Sequence, residues 1–140
     1  MTRLKRLLLA VDDSDASARA VPVARQLALG SGLEVLVLHV RDQKICCKGP
    51  AWEKPMRCTP DELVSELVAD LQAAGVQASG EVHSSLNHRE SDEILATAEH
   101  FDADLIVAGW KPRRTLGGLL EKPTGQKIAD RSHRPILLVP

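Results

Sequence analysis

The chain has 140 residues, 44% of them apolar but only 2% aromatic, with 18 Lys and Arg against 19 Asp and Glu. That length predicts one domain, residues 1–140, with a core of Leu, Val, Ile and Ala. The net charge of −1 excludes a general attraction to nucleic acid or to an anionic membrane, so any anion site has to be local. No stretch approaches the ~20 apolar residues of a membrane span. The apolar run near the N-terminus stops at Asp12 and Asp13 without the small-residue pattern of a cleaved signal. With three cysteines, an odd number, this reads as a cytoplasmic protein in a reducing compartment.

In chain order, LLLAV (7–11) and LEVLVLHV (33–40) are apolar runs with little polar alternation, the pattern of parallel strands buried on both faces. Between them, Ala20, Val21, Ala24, Leu27 and Ala28 repeat at helical spacing over 15–29, with Ser14 as N-cap and Gly30 as the stop. Pro22 falls inside that helix, where it predicts a kink or an irregular first turn. Residues 41–58 have no periodicity and read as a loop. Thr59-Pro60-Asp61-Glu62 is a capping box with proline at the first helical position. Leu63, Val64, Leu67, Val68 and Leu71 continue that helix along one face to Gly75. VQASGEVHS (76–84) reads as a more polar strand near a sheet edge. A helix follows, capped by Asn87 or Ser91, with Ile94, Leu95 and Ala98 inward. DLIVA (104–108) is a further strand, a helix spans about 124–132, and PILLV (135–139) is the last strand.

Strands alternating with helices in this way predict an α/β fold, a doubly wound parallel five-stranded sheet with helices on both faces. Ligands of such sheets sit beyond the carboxyl ends of the strands, where strand order reverses. VDDSD after the first strand, HV at the end of the second and the loop from Gly109 therefore converge. That loop, GWKPRRTLGGLLEKPTG (109–125), places glycines and basic residues between a strand and a helix N-terminus, as in sites that hold phosphate.

LLLAVDDSDAS, LEVLVLHV, FDADLIVAGWK and RSHRPILLVP together resemble the universal stress protein family over nearly the whole chain. The resemblance implies a flavodoxin-like fold and a homodimer paired through the last strand, here Pro135 to Val139. It also implies membership of either a nucleotide-binding or a non-binding branch, with Mg-ATP as the ligand of the former. ATP-binding members carry a glycine, two residues, a second glycine, nine residues, then a glycine followed by serine or threonine. Gly109 matches the first position, whereas Pro112, Lys122 and Pro123 occupy the others. Proline has no N–H and a fixed φ, so it does not replace a glycine that lets backbone N–H groups approach phosphate. Thr124 can stand in as the hydroxyl only with the spacing shifted. At the base end, Asp12 matches the family's aspartate after the first strand and Val40 the residue whose backbone meets the base; Ala10 replaces a frequent proline.

The expectation is therefore a small stress-response binding protein, a dimer with weakened or lost ATP binding. The alternative is a sensor of ATP, AMP or another phosphorylated ligand, with Lys111, Arg113, Arg114, Lys122 and Lys127 supplying charge in place of glycine N–H groups. The bland counterpart is a solvated basic loop. Trp110 stacks on a base in one reading and covers the loop or an interface in the other. Asp12 and Asp13 suit helix initiation better than metal or acid chemistry. Cys46, Cys47 and Cys58, even with His83 or His88, lack zinc-site spacing, and His39 reads as a hydrogen-bonded core histidine. With no GxGxxG, Walker A, GxSxG or HExxH, the expectation is no enzyme, slow ATP hydrolysis being the enzymatic alternative.

Overall fold

The computed structural model describes residues 3–43, 59–86, 89–110, 113–114, 120–121 and 124–140. Seven strands and four helices follow in the order β1 (Arg6–Ala10), α1 (Asp15–Ser31), β2 (Glu34–Gln43), α2 (Pro60–Ala73), β3 (Ala78–Leu86), α3 (Glu90–Phe101), β4 (Leu105–Gly109), β5 (Arg113–Arg114), β6 (Leu120–Glu121), α4 (Thr124–Arg131) and β7 (Ile136–Val139). Five strands form one parallel sheet in the order β3-β2-β1-β4-β7. The short β5–β6 antiparallel pair, which the sequence pattern did not predict, stands apart from it. This is the expected doubly wound α/β architecture, with β3 at one edge as its polarity suggested and β7 at the other.

Strand alternation divides the core in two. Leu7, Leu9, Val35, Val37 and Val107 point toward α1 and α2, where Ala20, Ala24, Ala28, Val64 and Leu71 meet them. Leu8, Leu36, Leu38 and Ile106 point the other way, toward Ile94 and Ala98 of α3 and Ile128 of α4. The alanines of α1 let that helix lie close to the central strands without large side chains. On β3, a Cβ at Gly80 would run into Val64 and Val68, so glycine there lets α2 approach the edge strand.

Several boundaries follow local chemistry. Ser14 accepts from Ser17 N as the N-cap of α1, and Thr59 and Glu62 close the predicted capping box of α2. Gly30 does not stop α1: the helix continues to Ser31, and Gly32 ends it at φ 66°. The helix also runs on through Pro22. Neither Asn87 nor Ser91 caps α3. Arg89 holds the cap position without a side-chain hydrogen bond, Ser91 is buried inside the helix, and Asn87 lies outside the described residues. β2 continues three residues beyond the predicted strand because β3 pairs with it as far as Gln43↔Leu86. Among the described residues no helix is long and apolar enough to cross a membrane.

Candidate functional site

Strand order reverses between β1 and β4, and a crevice lies at their carboxyl ends. Four sequence-predicted residues meet there. Asp12, Val40, Gly109 and Thr124 all line one cleft, together with Ala10, Val11, Ser17 and Glu90. Lys122 lies outside the described residues, as do Lys111, Pro112, Pro123 and the three cysteines.

Each wall has a local cause. The Asp12 carboxylate accepts from Ser14 N at 2.8 Å, while Asp12 N donates to Ser17 Oγ at 2.9 Å. Together these bonds turn the chain from β1 into α1, so Asp12 performs the helix-initiating role, with its side chain exposed at the cleft. Buried His39 fixes the neighbouring backbone. Its Nδ1 lies 2.7 Å from Val11 O, and because a carbonyl only accepts, the ring proton sits on Nδ1. Across the cleft, Thr124 Oγ1 donates to Glu90 Oε2 at 3.2 Å, joining the first turn of α4 to that of α3. At the last residue of α4, Arg131 pairs with Asp92 in the first turn of α3.

Gly109 has a steric role independent of any ligand. A Cβ there would lie 2.5 Å from Ser17 N and 2.6 Å from Ala16 C, both backbone atoms of the first turn of α1. Its φ is not positive, so close approach, not a special conformation, requires glycine. Gly125 is similarly confined: its Cβ would come within 2.9 Å of Leu138 Cδ2 and 3.5 Å of Gly109 O. Trp110 is exposed beside it and stands outside the cleft lining, with its backbone N–H donating to Val139 O at 2.7 Å.

The cleft is small, about 60 Å³, against the ~300–1,000 Å³ of ordinary ligand pockets. A roomier groove lies between β3 and α3, away from the switch point. Topology locates the cleft as the candidate site, since ligand chemistry in this architecture gathers where crossovers diverge. Sequence reasoning missed Glu90, Ser17 and Gly125. Glu90 had a usable signal, because the first residues of α3 follow the carboxyl end of β3 and face the same end of the sheet. Among the described residues no group of three His, Cys, Asp or Glu side chains is placed to hold a metal ion.

A parallel α/β sheet wound both ways, with the Asp12 turn after β1 and Gly109 at the end of β4 meeting at the switch point, has the flavodoxin-like architecture. The chain belongs to the Universal stress protein family, whose pattern it matches over residues 3–140. It is 29% identical over 136 residues to the universal stress protein in the QAH/OAS sulfhydrylase 3′ region of Thermus aquaticus, covering 96% of this chain and 98% of that one. Among solved structures, a universal stress protein family protein from Arabidopsis thaliana with AMP bound is similar at a TM-score of 0.66 and 18% identity, covering 96% of this chain and 90% of the other. The Archaeoglobus fulgidus universal stress protein in complex with dAMP is similar at 0.63 and 19%, with both chains covered completely.

Proposed function

We propose that this chain is a cytoplasmic stress-response binding protein whose nucleotide cleft has lost most of its affinity for ATP, and that it acts as a homodimer without catalysing a reaction. The replacement of the phosphate-loop glycine pattern carries the reading: Pro112, Lys122 and Pro123 stand where backbone N–H groups would have to approach phosphate. The surviving glycine supports it further, since Gly109 is required by its packing on α1 whether or not a nucleotide binds. The Thr124–Glu90 bond across the cleft points the same way. Dimerisation through β7 is supported by its place at the sheet edge and by exposed Leu137 in its middle.

A second reading has one specific observation in its favour. Asp12 and Val40, the residues that the family resemblance assigns to the base, both line the cleft, and the similar structures from Arabidopsis thaliana and Archaeoglobus fulgidus hold monophosphates, AMP and dAMP. On that reading the basic residues of 111–127 take over from the glycines, and the protein senses a nucleotide.

Calorimetric titration of Mg-ATP and of AMP into the purified protein, at low and moderate salt and beside a Lys122→Ala variant, separates the two. The expected result is little or no heat from Mg-ATP in a protein that sediments as a dimer and unfolds cooperatively. Tight binding that weakens with salt and with Lys122→Ala would overturn loss of affinity and establish the sensor. Steady phosphate release from ATP would overturn the absence of catalysis.

A further inference from the structure

β3 is a nine-residue edge strand, and among the described residues no strand pairs with its outer side. Its register with β2 runs unbroken from Val35↔Ala78 to Gln43↔Leu86, without a bulge. Its sequence, ASGEVHSSL, holds neither proline nor lysine. Edge strands are commonly protected from further pairing by shortness, bulges, proline or lysine, and β3 has none of these. The opposite edge, β7, is four residues long.

The backbone of β3 divides by parity. Val35 N donates to Gln77 O at 2.8 Å, so the odd-numbered residues from 77 to 85 turn their N–H and C=O groups toward β2. The even-numbered residues Ala78, Gly80, Val82, Ser84 and Leu86 therefore direct theirs outward. Ala78 O accepts from Gln72 Nε2 at 3.0 Å, which agrees with this parity and leaves the carbonyl a second lone pair. An incoming strand meets an alternating row of donors and acceptors.

A second β3, running antiparallel about a two-fold axis at Val82, fits that row along its whole length. Val82 then faces the partner's Val82, Gly80 the partner's Ser84 and Ala78 the partner's Leu86. Each pair sets one outward-directed residue opposite another, the arrangement in which both N–H···O bonds form. Glu81 and the partner's His83 fall opposite each other in the intervening positions, where side chains approach more closely. A carboxylate meets an imidazole on both sides of the axis, and no like charges face each other. Half-exposed Leu86 lies beside the partner's Ala78, apolar against apolar. Moving the axis to Gly80 or Ser84 keeps the parity but cuts the overlap to residues 78–82 or 82–86.

We propose that β3 is a self-association surface, through which two copies of this chain pair antiparallel over residues 78–86 and join their sheets. Its self-complementarity selects a second copy over an unrelated strand, as an isologous interface requires. The surface is separate from the β7 edge and stands whether or not β7 also pairs.

The test follows backbone amide exchange of ¹⁵N-labelled protein by NMR at about 20 µM and about 1 mM, a range suited to a small interface. The amides of Gly80, Val82 and Ser84 are expected to exchange about tenfold more slowly at the higher concentration. Those of Ser79, Glu81 and His83, already bonded to β2, should not change. Ser84→Pro removes an outward N–H and should abolish the concentration dependence, while the variant melts like the parent because an edge strand tolerates proline on that side. Glu81→Lys, an exposed change, should weaken the pairing about fivefold. Exchange at Gly80, Val82 and Ser84 that ignores concentration would overturn the proposal, as would slowing that survives Ser84→Pro. Slowing confined to Ile136–Val139 would overturn it too, by assigning all association to β7.

Discussion

Replacing Gly109 by alanine separates packing from ligand binding at the one motif position this chain retains. The new methyl carbon would sit 2.5 Å from Ser17 N and 2.6 Å from Ala16 C, where carbon needs well over 3 Å. Both obstacles are backbone of the first turn of α1, held by the Ser14 cap and the Asp12–Ser17 bond, so no rotamer change relieves the clash. Either α1 or the end of β4 has to move, and overpacking of this kind costs about 2–3 kcal/mol. For a chain of this size that lowers the melting temperature by about 6–12 °C. Gly30→Ala is the matched control. Gly30 lies inside α1 with nothing within 4 Å of its would-be Cβ, so the same methyl should stabilise by about 0.5–1 kcal/mol. Thermal unfolding followed by circular dichroism, without nucleotide, reads both. If Gly109→Ala melts with the parent, the close approach of β4 to α1 is not a constraint, and the glycine would have to be there for a ligand.

Thr59→Ala removes one half of the capping box at the start of α2 and should cost about 1 kcal/mol, measured from the urea midpoint, with an unchanged m-value. Asp104 accepts from Lys5 N at 2.7 Å and Arg6 N at 3.0 Å, and these backbone bonds, Lys5 first, lower its pKa. A carboxyl lowered on folding stabilises above its unfolded value of about 3.9 and loses that contribution as pH falls through the folded value. Parent protein should therefore be more stable than Asp104→Asn at neutral pH, with the difference in urea midpoint shrinking in acid; a difference independent of pH would remove the charge from the explanation. Restoring the family pattern with Pro112→Gly, Lys122→Gly and Pro123→Ser should raise affinity for Mg-ATP by at least about tenfold by calorimetry. If affinity does not rise, the Thr124–Glu90 contact across the cleft, and not the loop, is what excludes the ligand.

Much of the fold was legible in the sequence because its signals are local. Apolar runs such as LLLAV and LEVLVLHV mark strands buried on both faces, and Ser14 and Thr59 mark helix starts whose orphan N–H groups need a nearby acceptor. Asp12, Val40, Gly109 and Thr124 could be placed at one end of the sheet because every strand of a parallel sheet delivers its following loop to the same side. The stop of α1 was not legible: Gly30 and Gly32 are both plausible, and only Gly32 takes the left-handed conformation that the packed helix end requires. The length of β2 depended on its partner β3, a pairing across some forty residues of chain.

The tertiary structure alone decided what the shared residues do. In the sequence Gly109 is a motif match; in the fold it is the point where β4 touches the backbone of α1. Glu90 is one of several acids opening a helix until the crossing of α3 and α4 brings it to Thr124. The groove between β3 and α3 is invisible in the sequence because no local signal sets residues 79–83 beside residues 93–101. Sequence fixes which backbone conformations and which faces are favourable; which atoms then come within reach is settled by the packing of elements far apart in the chain.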